Sequence, residues 1–337
     1  MGNELISENL FARTLTDPIV RMPELDSLLI VSGYASSAMG FHHLMGLKRL
    51  GFEPRVSLVC GMVKADGITK SNHEGFQQLA RTNFPQRFSC AYVKSGEPVH
   101  AKIYIWCRGN EPIVAYTGSA NYTQTAFLNS SRREVLAECN PKEALDFYAA
   151  LKGDTIDCGD KTISKFFNIG WQRRGPREQK PISLPDVPFT VEQDPNSPFF
   201  GKEKAVISLV DKRGVVPERS GLNWGQRPEL HRDPNQAYLS VRGDLRKTDF
   251  FPPITVHFTV LTDDNQLIQC TRAQQDGKGI HTPHDNAEIG RYFRRRLGLR
   301  DGAMVTSHDL KKYGRSDVVF YKIDDENYFM DFSSPKK

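Results

Sequence analysis

Several features that would place this chain in a class at once are missing from it. No stretch of its 337 residues approaches the ~20 consecutive apolar residues of a membrane-spanning helix. The N-terminal MGNELISENLFART has no basic-then-apolar leader pattern, so a cytoplasmic location with no membrane partner is expected. The six cysteines, at 60, 90, 107, 139, 158 and 270, include no Cys-x-x-Cys pair. Cys60, Cys90 and Cys139 lie in apolar stretches and read as buried thiols, which indicates neither a disulfide framework nor a zinc site. No acidic cluster has the spacing of a Mg²⁺ site, so no metal and no cofactor are expected. Charge of one sign is scarce as well, with a net charge of +5. From residue 196 onward, 23 Lys and Arg stand against 19 Asp and Glu, so most of that surplus lies in the C-terminal half. A surplus this small decides nothing about nucleic acid, which needs only a local basic surface. No internal repeat is visible.

What is present reads as two domains. The length is about twice a common domain size, and 39% hydrophobic with 25% charged residues is an ordinary globular balance. In the N-terminal part, Ser27 to Gly33 (SLLIVSG) is a short buried-strand pattern, followed by helical spacing over 38–50 with a stop at Gly51. Residues 55–62 form a second strand pattern and 71–84 a helical one, with strands expected around Cys90, Lys102 and Val114. Glu134 to Glu138 reads as another strand and Pro141 to Leu151 as another helix. Strands alternating with helices predict a layered α/β sheet. Residues 171–200 are rich in proline and charge without periodicity, which predicts a domain over 1–178, a linker over 179–198 and a second domain over 199–337. Beyond the linker, strand patterns start at 205, 236, 254, 266, 317 and 326, and one helix, NAEIGRYFRRRLG, has Asn286 as its expected cap and Gly298 as its stop. Many short strands with one helix predict a barrel-like β domain.

The chemistry concentrates in VHAKIYIWCRGNEPIVAYTGSANYTQTAFLNSSRREVL, residues 99–136. If His100 and Lys102 lie in a strand, they share one face, with Ala101, Ile103 and Ile105 on the other. Ser119 and Asn121 repeat that parity after the apolar run 113–116, and Glu134 follows. Imidazole, ammonium, hydroxyl and carboxamide together suit a phosphate. Read alone, His-x-Lys fits a satisfied strand histidine beside a surface lysine better than a functional pair. The Gly118-Ser119-Ala120-Asn121 segment favours the functional reading, because glycine admits close backbone approach and Ala120 is small.

HAK, then GSAN, then a glutamate resembles the nuclease branch of the phospholipase D superfamily. The family pattern places an aspartate where this chain has Cys107. That departure bears on lipid hydrolysis rather than on nuclease chemistry, since restriction-enzyme members also lack it. SGLNWGQRPE (220–229), GKGIHT (277–282), RYFRRRLGL (291–299) and KKYGRSDVVFYKIDD (311–325) resemble the NgoFVII restriction-endonuclease family. That family joins a phospholipase-D-type nuclease to a B3-like DNA-recognition domain. The resemblance implies a bacterial type II restriction endonuclease with a B3-like pseudobarrel after the α/β domain. It implies His100 as a nucleophile giving a phosphohistidine, Lys102 as the charge and Asn121 as an amide donor. Ser119 would donate too, and Glu134 would hold the histidine in its useful tautomer. The nine histidines contain no second His-x-Lys. A leaving oxygen calls for a second imidazole as general acid, which in this family comes from a twofold homodimer. His42 and His43, in the helical run after the first strand, read as surface or packing residues. A cognate DNA methyltransferase is implied by the class, though not as a stable subunit.

Two loops are the expected readers of double-stranded DNA. The first carries Asn223, Trp224, Gln226 and Arg227, joined by Lys212 and Arg213 from the turn after AVISLV. The second, RAQQDGKGIHTPHDN, offers Gln274, Gln275, Asp276, Lys278, His281 and Thr282. Arginine reads guanine, and asparagine or glutamine reads adenine, each for ~1–3 kcal/mol of discrimination. Trp224 reads equally as a packing anchor and Asp276 as an exposed turn residue, whereas for Arg227 base reading is favoured over a structural loop role. In the arginine-rich helix, Ile289, Phe293 and Leu297 fall on one face, so its arginines are expected on a solvated one. The competing functions are a phosphodiesterase of the same superfamily acting on lipid or RNA, and a DNA-binding protein with an inactive nuclease domain.

Overall fold

The computed structural model describes residues 5–128, 133–170, 199 and 201–334. The expected linker lies outside the described residues. The chain divides into two compact units, residues 1–182 and 183–337.

The first unit is built on a mixed eight-stranded sheet. Its order is Leu5–Ile6, Leu136–Cys139, Glu111–Gly118, Lys102–Arg108, Ser27–Ser32, Arg55–Cys60, Phe88–Val93 and Thr155–Asp157. The strands Ser27–Ser32, Arg55–Cys60 and Phe88–Val93 run parallel, and the neighbours on both sides are antiparallel. Helices Ser37–Arg49 and Lys70–Gln78 cover one face, where Phe41, Phe76, Tyr104 and Trp106 pack. Helix Pro141–Leu151 covers the other through Ala144 and Tyr148 against Val31, Ile105 and Cys107. The expected parity of the His-Lys strand therefore holds from Lys102 onward: 102, 104 and 106 face one layer and 103, 105 and 107 the other. Trp106 is fully buried, and its indole donates to the Thr14 carbonyl at 2.8 Å. Gly51 ends the first helix at φ +84°, a value that costs glycine least. Cys60 and Cys90 are buried thiols as expected, whereas Cys139 is only half-buried.

The second unit is a seven-stranded, nearly closed sheet. Its order is Lys204–Ser208, Asp317–Lys322, Asn327–Asp331, His257–Thr262, Leu267–Ala273, Gly279–His281 and Leu239–Ser240. The first and last strands come back into contact, which closes a pseudobarrel around Phe250, Phe258, Phe320 and Tyr328. The strand expected from 236 is reduced to two residues, and the described residues hold two α-helices, Glu288–Leu297 and Ser307–Tyr313, instead of one. The second is held by a capping box between Thr306 and Asp309. Gly298 ends the first helix in the left-handed region as expected, but Asn286 is not its cap. That carboxamide bonds His281, and the Asp285 carboxylate takes the Ala287 N–H instead.

The arginine-rich helix overturns a further expectation. Arg294 is fully buried, and its guanidinium donates to the carbonyls of Leu222, Pro234, Asn235, Gly290 and Ala303. Arg296 is nearly buried between Asp263, the hydroxyls of Tyr292 and Tyr313, and the Phe332 carbonyl. The inward face is wider than the 289, 293, 297 stripe and takes in Gly290 and Arg294. Gly290 approaches so closely that a Cβ there would stand 1.7 Å from the Asn235 carbonyl oxygen. Arg291 and Arg295 remain on the outer side, paired with Asp285 and Asp264.

Candidate active site and DNA-reading loops

His100 precedes the strand Lys102–Arg108 and does not lie within it, yet the two side chains meet. Lys102 Nζ stands 3.0 Å from His100 Nε2 and donates to the His100 carbonyl at 2.6 Å. Strand register explains the placement. Ser32 pairs with Lys102 across the antiparallel ladder, so Gly33 and Tyr34 run beside Ala101 and His100. A Cβ on Gly33 would lie 2.7 Å from His100 Cδ2, and one on Gly61 would lie 1.9 Å from the Val99 carbonyl oxygen. Only glycine permits both approaches. A protonated lysine can only donate, so Nε2 is the acceptor here and the ring proton belongs on Nδ1. Burial lowers the pKa of the Lys102 ammonium, and Glu134 acts in the opposite sense. The imidazole itself is exposed, with the buried ammonium behind it.

Ser119 and Asn121 follow the strand Glu111–Gly118. Gly118 lets the Val135 backbone close in, since a Cβ would stand 2.2 Å from its carbonyl oxygen. The Ser119 hydroxyl donates to the Glu134 carboxylate and accepts from Val135 N–H at 3.0 Å. Glu134 itself lies two residues ahead of the strand Leu136–Cys139. The expectation that Glu134 orients His100 is therefore corrected: its carboxylate accepts a hydrogen bond from the Ser119 hydroxyl, and it reaches the His-Lys pair electrostatically through Lys102. Asn121 Oδ1 accepts from Tyr34 N–H at 3.1 Å and from the Ser32 hydroxyl at 3.5 Å. Because an N–H can only donate, the oxygen is fixed on that side and Nδ2 is left as the donor.

The sequence reading missed Tyr34, Ser32 and Asp66. The Tyr34 ring stands edge-on to His100 with centroids 5.6 Å apart, and its hydroxyl donates to Asp66. Ser32 also accepts from Tyr122 N–H at 2.9 Å, which ties the turn after the first strand to the segment carrying Asn121. The only local signal was Ser-Gly-Tyr at a strand end, and its meaning depends on register. Cys107 is a buried core thiol, pushed up to about 11 by desolvation and then by Asp26, on the sheet face opposite Lys102. His43 is a packing residue: it is fully buried between the Tyr122 hydroxyl and the Leu15 carbonyl, both at 2.9 Å. Among the described residues, no group of three or more His, Cys, Asp or Glu could hold a metal ion, and no helix is long and apolar enough to cross a membrane.

The residues expected to read DNA separate into three groups. Lys212, Arg213, Gln274, Gln275, Asp276 and Lys278 are exposed on turns, with Gln274 and Asp276 at φ +66° and +56°. Trp224, Gln226, Arg227 and His281 are half-buried and have partners inside the unit. The Arg232 guanidinium stacks 4.2 Å from the Trp224 centroid, while Gln226 donates to the Pro234 and Gly302 carbonyls. Arg227 donates to the Arg219 carbonyl at 2.7 Å, and His281 bonds Asn286 at 2.7 Å. Asn223 and Thr282 are fully buried. The Asn223 carboxamide spans Pro217, Val305 N–H and Val305 O, and the Thr282 hydroxyl donates to the Asp285 carbonyl. For those two, the expectation of a base-reading side chain is corrected to that of a loop strut.

Two family descriptions match the chain in succession. The NgoFVII restriction endonuclease N-terminal PLD domain matches residues 8–165, and the NgoFVII C-terminal B3-like DNA-binding domain matches residues 199–324. No curated protein matches it. Among solved structures the chain is similar to NucT from Helicobacter pylori, at 17% identity over 46% of this chain and 98% of that one, with a TM-score of 0.31. It is similar to the phospholipase D family member Nuc from Salmonella typhimurium, at 17% identity over 46% and 97% with the same TM-score. Matched in this order along its length, the chain belongs to the NgoFVII restriction-endonuclease family, with a phospholipase-D-type nuclease domain followed by a B3-like DNA-binding domain.

Proposed function

We propose that this chain is a type II restriction endonuclease that cleaves double-stranded DNA at or near a short sequence, without a metal, through a phosphohistidine. The contact between Lys102 Nζ and the exposed His100 Nε2 carries this reading. It marks Nε2 as the nitrogen that carries the lone pair, which the Lys102 ammonium gives up as it turns to the phosphate oxygens, and it puts a cation within reach of whatever that nitrogen attacks. Nε2 attacks phosphorus, the P–N bond forms, and the bond to the leaving sugar oxygen breaks. Water then opens the P–N bond, returning His100 and leaving a phosphate end. Charge grows on the non-bridging oxygens, where Lys102 and Asn121 Nδ2 stabilise it. Ser119 and Glu134 keep the Asn121 segment seated and balance the Lys102 charge.

The leaving oxygen needs a proton, and the chain has one His-x-Lys. A homodimer through the nuclease domain would bring a second His100 to the same phosphate. The exposed Lys212, Arg213, Gln274, Asp276 and Lys278 would grip and read the duplex. Trp224, Gln226, Arg227 and His281 would shape those loops around the buried Asn223 and Thr282. A separate methyltransferase would protect the host's own sites.

Incubation of plasmid DNA with the purified protein in excess EDTA, with fragment ends sequenced, tests this. Discrete fragments are expected, and they give the site directly. Cutting that appears only when Mg²⁺ is restored would contradict the mechanism.

A further inference from the structure

We propose that a cleft of about 150 Å³ in the second unit is a phosphate pocket that seats the DNA backbone between the two reading loops. The pocket rests on the reading of this unit as DNA-binding. It opens between the segment after strand Lys204–Ser208 and the segment Tyr238–Arg242, to neither of which the family resemblance gives a role beyond Lys212 and Arg213. Its lining holds one cation, Arg242, four hydroxyl residues (Ser208, Ser220, Tyr238 and Ser240) and no carboxylate.

Several donors there are unspent. Arg242 is exposed, and two intramolecular bonds fix its guanidinium: Nε donates to Ser240 Oγ at 3.3 Å and Nη1 to the Val210 carbonyl at 3.1 Å. Nη2 has no partner among the described residues. Neither do the Ser220 and Tyr238 hydroxyls, and Ser240, which accepts from Arg242, keeps its own proton. Only the Ser208 proton is committed, to the Val210 carbonyl at 2.9 Å. The acid in the adjoining turn, Asp211, is occupied by the Arg213 side chain and by the N–H groups of Arg213 and Val215. A held guanidinium with several unused O–H donors and no competing carboxylate among the described side chains suits an anion rich in acceptor oxygens.

The position suits a backbone phosphate in particular. Val241 N–H donates to the Lys278 carbonyl at 2.9 Å, which attaches this segment to the second loop. The buried Arg272 guanidinium bonds the carbonyls of Gly277 and Arg246, which ties the second loop to the turn that follows Arg242. Arg242 reaches the first loop through Val210. The pocket therefore sits at the seam of both loops, where a phosphate contact would fix the register of the duplex against the side chains that read it.

The test is equilibrium binding of the full chain, with His100→Ala in every protein so that the probes stay whole, followed by fluorescence anisotropy across a salt series; cut positions are compared in proteins that keep His100. One probe is a duplex spanning a mapped cut and the other is a duplex of arbitrary sequence. Arg242→Gln is expected to weaken both about tenfold and to reduce the slope of log K against log salt by about 0.9, with cut positions unchanged. The double variant Ser220→Ala/Tyr238→Phe, which removes only hydroxyls, is expected to weaken both about threefold at unchanged slope. It decides the matter if Arg242→Gln fails to fold. Unchanged affinity in both variants would overturn the pocket, and so would a loss confined to the cognate duplex, which would make Arg242 a base reader. Wild-type protein that binds neither duplex would sink the DNA-binding reading itself.

Discussion

The two units place polar side chains in opposite ways. In the first, the reactive-looking residues stay together at the surface: His100 is exposed, Lys102 lies just behind it, and Ser119 and Asn121 complete the group. The histidines that look incidental, His43 and His73, are buried and neutral. In the second, several of the most functional-looking side chains are struts. Arg294, Arg272, Asn223 and Thr282 face inward and satisfy backbone carbonyls, and the turns they brace present the exposed Lys212, Gln274 and Lys278. A motif gathered at strand ends announces its own chemistry, whereas a loop must first be built from polar residues before it can display others.

That contrast can be broken most sharply at His100. Its replacement by alanine should lower cleavage at least about 10³-fold while leaving DNA binding within a factor of two or so, because the proposed nucleophile and the proposed reading loops lie in different units. Loss of both together would mean that the units do not divide the work. Next in size is Arg294→Met, which strips the donor from five carbonyls. It should destabilise the second unit by about 3–5 kcal/mol and abolish DNA binding, with amide protection in the first unit retained. Binding that survives at wild-type strength would restore the solvated-face reading of that helix.

The pH response should differ in sign between the units. Burial holds His43 and His73 down to about 4, with His42 as a neighbouring charge for the first and Arg81 for the second. Below pH 6.5 the unfolded chain binds protons that the folded unit refuses, so the first unit loses stability as pH falls from 6.5 toward 4. The loss is about 1.4 kcal/mol per pH unit from the fully buried His43 alone. Glu288 in the second unit is pushed up to about 7 by burial and then by Asp285, against Arg291. There the folded state holds the extra proton, so stability falls as pH rises from 4.5 through 7 and then levels off. Hydrogen exchange resolved by unit should show these opposite trends, and Glu288→Gln should flatten the second alone. The smallest effect is at Tyr34. Tyr34→Phe keeps the ring against His100 but releases it from Asp66, so kcat should fall about three- to tenfold with DNA affinity unchanged. Tyr34→Ala should fall further in kcat; equal effects of the two would rule out a positioning role for the ring.

The sequence made Lys102, Tyr104 and Trp106 legible as one face because alternation is a local property. It also revealed the need for small residues at Gly118 and Ala120. Tyr34 was hidden because its place beside His100 follows from the pairing of Ser32 with Lys102, seventy positions apart in the chain. The true partner of Glu134 was hidden for a related reason: the Ser119 hydroxyl lies across a strand connection and no spacing rule reaches it. In the barrel, periodicity found the 289, 293, 297 stripe but could not tell that carbonyls from residues 222, 234 and 303 converge on position 294. The exposed turns at 212–213 and 274–278 were readable because their glycines and charges are turn chemistry.

The proposed mechanism requires His100 to become covalently joined to the cut strand. End-labelled DNA mixed with the protein, quenched in alkali and run on a denaturing gel, tests it directly. A labelled protein–DNA adduct that forms and decays during turnover, and that is absent from His100→Ala, is the predicted result. Steady cleavage with no adduct, or an adduct that persists in His100→Ala, would contradict it.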